Sequence, residues 1–273
     1  VTFYNDQSQF QQRMSDYFSV LDAGFSFAFQ PIIDIQIGKP VGLEALLRGV
    51  SGEMANSIIR RVSDENRFAF EQACRMRAIE LGTGLVGRSA LHLNCGSVSA
   101  QDIDLITETT CLSAEQGGLS PDRIFMEFGE LEKLGNARTL AGIGQRVRDA
   151  GLKVVADNFG SADTGLKRLV VFQPDAVKLD RTLVAGIQKS PRRQAIVLGL
   201  IATCGALDIQ VIATGVESRE EVDWLRDAGI KQFQGYYFAR PALERAPDVA
   251  NLEELHIPPR TATISQLAGT LAG

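Results

Sequence analysis

Eight short apolar runs, spaced along the chain and most of them followed by a helical stretch, leave few folds open. The runs are Phe25–Ile35, Val41–Leu47, Ala90–Asn94, Ile124–Phe128, Leu152–Ala156, Ala176–Leu179, Ile209–Ala213 and Ile230–Phe233. Each is of strand length and bounded by turn-forming residues. Only Gln36-Ile37-Gly38-Lys39-Pro40 separates the first two, too little chain for a crossover, so these strands are antiparallel neighbours. Helical stretches follow the later runs: Ala55–Leu81, Gln101–Glu115, Glu132–Ala150, Thr182–Leu207 and Glu220–Ala228. After Asp157 the helix is short or delayed, because Gly160–Gly165 reads as an irregular loop. The alternation predicts an α/β fold, a modified TIM-like (β/α)8 barrel with an antiparallel first strand. A chain of 273 residues is the right size for one such barrel.

The flanks carry less information. Residues 1–22 hold Phe3, Phe10, Met14, Phe18 and Leu21 at helical spacing, which predicts a lead-in helix. It would pack on the barrel or link to an upstream sensor or a second subunit. The barrel domain spans 23–243, and 244–273, with Pro258-Pro259, reads as a C-terminal tail. A net charge of −5 gives no footprint for a nucleic-acid polymer. No apolar run reaches the roughly 18 residues of a membrane span. Four scattered cysteines and two histidines disfavour a zinc site, and isolated thiols suit a reducing compartment, so a cytoplasmic location is expected.

Polar residues cluster at the C-terminal ends of the runs, where a barrel of this kind places its active site. Glu44, Asn94, Glu127 and Asp157 come from four different strands. Three carboxylates and an amide carbonyl are hard oxygen donors, suited to Mg2+, Mn2+ or Ca2+ rather than zinc. Lys178 alternates with apolar neighbours, so it points inward and needs a negative partner. It would bind a phosphate oxygen, orient a metal-bound water, or form a purely structural ion pair with the acids. Arg48 has the fork for a phosphate, and Gln234 sits beside the flexible Gly235 at the mouth.

Taken in order, these residues resemble the EAL family of cyclic di-GMP phosphodiesterases. The resemblance runs over roughly 23–243. It rests on Gln30-Pro31-Ile32, Leu43-Glu44-Ala45-Leu46-Leu47-Arg48, Asn94, Glu127 with Glu130, and Asp157-Asn158-Phe159-Gly160. Lys178-Leu179-Asp180, Gly215-Val216-Glu217 and Gln234-Gly235-Tyr236 complete it. It implies bacterial second-messenger signalling, a two-metal Mg2+ or Mn2+ site with Ca2+ as an inhibitor, and hydrolysis of one phosphodiester bond to linear pGpG. By resemblance Glu44, Asn94, Glu127 and Asp157 are metal ligands, and Gln30, Arg48, Lys178, Asp180 and Gln234 bind the dinucleotide. Lys178 and Glu217 take catalytic places, Glu130 anchors the loop after Gly160, and a homodimer is expected.

Two positions depart from the family pattern. Hydrolysing members carry Asp-Asp-Phe-Gly where this chain has Asp157-Asn158-Phe159-Gly160. They carry Ala-Glu-Gly-Val-Glu where it has Ala213-Thr214-Gly215-Val216-Glu217. Both departures fall on the second-metal half of the site. Two metals hold the attacking water between them, and losing a positioned base alone costs roughly 10²–10⁴ in rate. The sequence therefore leads to a degenerate, catalytically impaired receptor for cyclic di-GMP, with one metal site and a protein partner. A slow phosphodiesterase and a ligand-free interaction scaffold stand as the alternatives.

Overall fold

A computed structural model describes residues 24–96, 99–161 and 165–252. β1 (Phe25–Asp34) and β2 (Lys39–Gly49) form an antiparallel hairpin that sets Gln30 opposite Glu44. Six strands then follow in parallel with β2: β3 (Ala90–Cys95), β4 (Ile124–Phe128), β5 (Lys153–Phe159), β6 (Ala176–Leu179), β7 (Gln210–Thr214) and β8 (Gln232–Gln234). β8 pairs with the far edge of β1, antiparallel, and closes the barrel. The expected architecture is the observed one, including the reversed first strand. A two-residue β9 (Ala242–Leu243) covers Ala28 and Phe29, the part of the β1 edge that β8 leaves open.

Side-chain alternation along the strands separates two interior layers. Ile32, Val155, Ala176 and Ile212, with Val41 and Phe125 against them, form an apolar plug inside the barrel. Two residues further along four of these strands, toward the C-terminal rim, come Glu127, Asp157, Lys178 and Thr214. On the reversed β1, Gln30 takes the matching place, two residues before Ile32. Water is thus excluded from below the polar layer, which opens only upward. The opposite faces of the strands pack Leu91, Met126, Val154, Leu179 and Phe233 against Ile79, Ile143, Val197 and Leu225 of the surrounding helices. Full burial of each such side chain contributes about 1.5–3 kcal/mol.

Several elements differ from the sequence expectation. The stretch Ala55–Leu81 is two helices, Ala55–Ile59 and Asp64–Thr83. The break falls at Ser63, after which a new helix starts with an acidic first turn, Asp64 and Glu65. The stretch Thr182–Leu207 is likewise divided into Arg181–Val184, a single 3-10 turn Ile187–Lys189, and Pro191–Ala206. Gly186, at φ 64°, and Pro191 at a helix start impose those divisions. The helix expected over Glu132–Ala150 begins at Ala137, capped by the Asn136 side chain. After β5 the delayed helix is a six-residue one, Lys167–Phe172.

Past Leu243 the chain stays on the barrel over residues 244–252. The Glu244 amide donates to the Phe27 carbonyl, the Ala250 amide to Phe238, and the Asn251 side chain to the Tyr237 carbonyl. The lead-in helix over 1–22 and the rest of the tail lie outside the described residues. No described helix is long and apolar enough to cross a membrane.

Candidate metal and ligand site

Period-two alternation brings Glu44 from β2, Glu127 from β4, Asp157 from β5 and Lys178 from β6 onto one interior layer. There Lys178 Nζ lies 2.7 Å from Glu44 Oε2, 2.9 Å from Glu127 Oε2 and 3.9 Å from Asp157 Oδ1. The two glutamates take further partners. Asn94 Nδ2 donates to Glu44 Oε1 at 3.0 Å, and Gln234 Nε2 donates to Glu44 Oε2 at 2.7 Å. Glu127 Oε1 is 2.8 Å from Nδ1 of His92, whose ring stacks on Phe125 with centroids 4.5 Å apart.

The charges are strongly perturbed. Burial alone would raise the Glu44 carboxyl, but the Lys178 ammonium and hydrogen bonds from Lys178, Gln234 and Asn94 bring it down to about 2. Burial and the Glu44 charge lift Glu127 to about 8 against the pull of Lys178. Burial likewise lifts Asp157 to about 7, again opposed by Lys178. Desolvation works against the Lys178 ammonium, yet Glu127, Glu44 and Asp157 outweigh it and hold the lysine charged. His92 is pushed down to about 3 by burial, with Lys178 adding to it, so its ring is neutral. It donates from Nδ1 to Glu127 whenever that carboxylate is ionised, and so orients it.

Fully ionised, three carboxylates facing one ammonium leave two negative charges uncompensated. That balance, with the Asn94 side-chain amide beside it, fits one hard dication. The carboxylates here are turned onto Lys178. Among the described residues no three His, Cys, Asp or Glu side chains stand together as a ready-made metal cluster. A bound ion would have to draw Glu44, Glu127 and Asp157 partly away from the lysine.

Beside this cluster, two polar side chains are engaged elsewhere. Asn158, where the pattern wants an acid, has a left-handed backbone (φ 51°), a conformation Asn accepts more readily than most residues. Its Nδ2 donates to Asp157 Oδ2 at 2.7 Å, so a hydrogen-bond donor occupies the place of a charge. Thr214 Oγ1 donates to the Leu179 carbonyl at 2.6 Å, which ties the hydroxyl to the neighbouring strand.

A cavity of about 250 Å³ opens above these groups, lined among others by Gln30, Lys178, Arg181, Glu217, Gln234 and Tyr236. It meets a larger one of about 1040 Å³ at Asp157 and Asn158, which runs past Asn94 and Arg48 toward the helix Asp64–Thr83. Gln30 is buried and donates from Nε2 to the Ala239 carbonyl at 3.0 Å. Arg48 donates to the Leu47 carbonyl at 2.7 Å and faces the larger cavity. Gln234 is fixed by its neighbour: a Cβ at Gly235 would fall 2.1 Å from the Val216 carbonyl oxygen, so only glycine fits.

Three of the sequence-derived residues stand apart from the buried cluster. Asp180 Oδ1 accepts from the Thr182 amide at 2.8 Å and caps the short helix. Glu217 lies at the rim, half exposed, its Oε1 2.7 Å from Arg181 Nη2. Glu130 pairs with Lys133 at 2.6 Å and lines the larger cavity, while 162–164 of the loop it was expected to anchor lie outside the described residues. Sequence reasoning gave no role to His92 or Arg181. His92 was detectable, because it stands two residues before Asn94 on the same strand face.

These strands and acids match a known family model. The model described as EAL domain covers residues 16–241. The chain belongs to the EAL domain family. It is 32% identical over 238 residues to the blue light- and temperature-regulated antirepressor BluF of Escherichia coli K12, across 82% of this chain and 56% of BluF. A standalone EAL protein from Vibrio cholerae O395, solved with cyclic di-GMP bound, superposes with a TM-score of 0.80 at 35% identity. That match covers 87% of this chain and all of the other. Klebsiella pneumoniae BlrP1, solved with cyclic di-GMP and calcium, gives a TM-score of 0.76 at 31% identity over 82% of this chain and 57% of BlrP1. BlrP1 has also been solved with manganese and cyclic di-GMP. The chain thus spans little more than half the length of BluF and of BlrP1.

Proposed function

We propose that this chain is a degenerate EAL domain: a catalytically impaired receptor that binds cyclic di-GMP and relays its occupancy to a protein partner. One observation carries the reading. On the half of the site where hydrolysis needs a second metal, Asn158 presents an amide donor to Asp157 and Thr214 spends its hydroxyl on a main-chain carbonyl.

The residues then divide their work as follows. Glu44, Glu127, Asp157 and the Asn94 side chain would hold one Mg2+ or Mn2+, which would neutralise the carboxylates and polarise a phosphate oxygen. Lys178 holds the acid cluster together and contributes a positive charge to the dianionic ligand. Gln30 and Gln234 supply amide hydrogen bonds to a guanine edge, and Arg48 a fork for the phosphate along the larger cavity. Glu217, in its ion pair with Arg181, is not free to act as a base. The family's cyclic di-GMP complexes support the ligand, and the calcium and manganese complexes of BlrP1 support the class of metal. BluF, which bears the name of an antirepressor, supports relay to a protein partner. The ligand-binding barrel is 23–243, flanked by the lead-in segment 1–22 and the C-terminal segment 244–273.

The test is calorimetric titration with cyclic di-GMP, paired with chromatography of the mixture after hours in Mn2+. Micromolar or tighter binding without linear pGpG supports the receptor. Steady turnover by the unmodified chain replaces it with a slow phosphodiesterase, and absence of binding replaces it with a scaffold.

A further inference from the structure

The larger groups at the mouth include a cation that the family pattern did not single out. Arg181 follows the capping Asp180 and sits on the short helix after β6, with its side chain more than half exposed. It lines the same 250 Å³ cavity as Asp157, Asn158, Lys178 and Thr214. The backbone is shaped around its stem. Gly215 adopts φ 73°, and a Cβ there would come within 2.9 Å of Arg181 Cγ and 3.1 Å of its Cβ and Cδ. Glu217 fixes the other end, with Oε1 2.7 Å from Nη2. Both residues that hold the arginine flank Val216, directly after Thr214, the position whose side chain has withdrawn to the Leu179 carbonyl.

The geometry points to Arg181 as the positive group that takes the place of the second metal ion, a phosphate-binding residue whose guanidinium receives one of the ligand's phosphodiester oxygens. The claim rests on the receptor reading and makes it more specific. Where a dication would need anions at 158 and 214, a side-chain cation needs none, so the losses at those two positions stop being defects. A guanidinium offers two donors in a plane to a phosphate and does not polarise a water for attack, so it binds without hydrolysing. Glu217 is both the strut that holds Arg181 at the rim and a competitor for its donors. A phosphate must share the fork with this carboxylate or displace it. Being at the surface, the pair contributes little to folding, so substitutions there leave the barrel standing.

The experiment titrates cyclic di-GMP into the whole chain and into Arg181→Gln, Arg181→Lys and Glu217→Gln, each with a chelator and again with Mn2+. Thermal melting without ligand checks the fold. Arg181→Gln should weaken binding roughly 10- to 100-fold in both conditions, the loss expected for a charge-assisted hydrogen bond to phosphate. Arg181→Lys should fall between, and Glu217→Gln should bind several-fold more tightly, because the competing anion is gone. Binding by Arg181→Gln within twofold of the unmodified chain overturns the proposal. Equal weakening in Glu217→Gln overturns it as well, since the pair would then act only as a strut. If the unmodified chain binds in neither condition, the receptor reading itself fails.

Discussion

Replacing Lys178 by Met removes the cation shared by the buried Glu44 and Glu127 and the half-buried Asp157. The lysine is 2% exposed and lies within 2.9 Å of both Glu44 and Glu127. Breaking a buried ion pair from one side costs about 3–5 kcal/mol, because the surviving charges are left uncompensated. For a domain of this size each kcal/mol lowers Tm by roughly 2–4 °C, so the loss at pH 8 should be about 6–20 °C. The carboxylates can escape the penalty by taking up protons, and this gives the loss a direction. In the unmodified chain Glu127 and Asp157 already have raised values, about 8 and 7. Stability from such raised acids is fully present below their unfolded values and drains away as pH climbs through the folded ones. Glu44 works the other way: lowered to about 2, it contributes above its unfolded value and loses that contribution only as pH falls toward 2. Without Lys178 nothing holds Glu44 down, so it joins the raised group. Lys178→Met should therefore melt close to the unmodified chain at pH 5 and fall steadily behind it up to pH 8. Millimolar Mn2+ should recover part of the difference at the upper end. Differential scanning calorimetry across that range checks it. An equal Tm loss at pH 5 and pH 8, untouched by Mn2+, would refute the account of the site's charge.

His92→Ala should weaken Mn2+ binding roughly 10- to 100-fold, since outer partners that orient a metal ligand typically carry that much; it also forfeits the stacking on Phe125, and equilibrium dialysis reads the affinity. Mn2+ affinity of the unmodified chain should rise with pH between about 6 and 8, with protons released on binding, because Glu127 and Asp157 must lose theirs first. Calorimetry in buffers of different ionisation enthalpy counts those protons. Gly235→Ala places a methyl against the Val216 carbonyl and shifts Gln234 off Glu44; it should abolish ligand binding and lower Tm, whereas Gly205→Ala, which meets nothing within 4 Å, should leave both intact.

The barrel was legible because its determinants are local. Runs such as Ile124–Phe128 and Ala176–Leu179 have the boundaries their sequences suggest, since turn residues bracket each one. The five residues between the first two runs forced the antiparallel start. Helix interruptions were less visible: the stripe over Ala55–Leu81 carries through the break at Arg60–Ser63, which period alone does not mark. The acid cluster was legible as a set of strand ends and Lys178 as its inward counter-charge, but the individual pairings were not. That Lys178 lies among Glu44, Glu127 and Asp157, rather than beside them, depends on the register of β2, β4, β5 and β6, which no single strand encodes. The same holds for His92 and Glu127, 35 positions apart and 2.8 Å from each other. Asn158 and Thr214 could be seen as departures from a pattern. Only the fold reveals that each has found another hydrogen-bond partner.

The account turns on how many cations the mouth can hold beside its ligand, so counting bound Mn2+ per chain in the presence of saturating cyclic di-GMP tests it most directly. Native mass spectrometry of the unmodified chain should give one ion and an intact cyclic dinucleotide, with a second ion entering only after Asn158→Asp and Thr214→Glu are introduced together. Two ions on the unmodified chain, accompanied by linear pGpG, would contradict it.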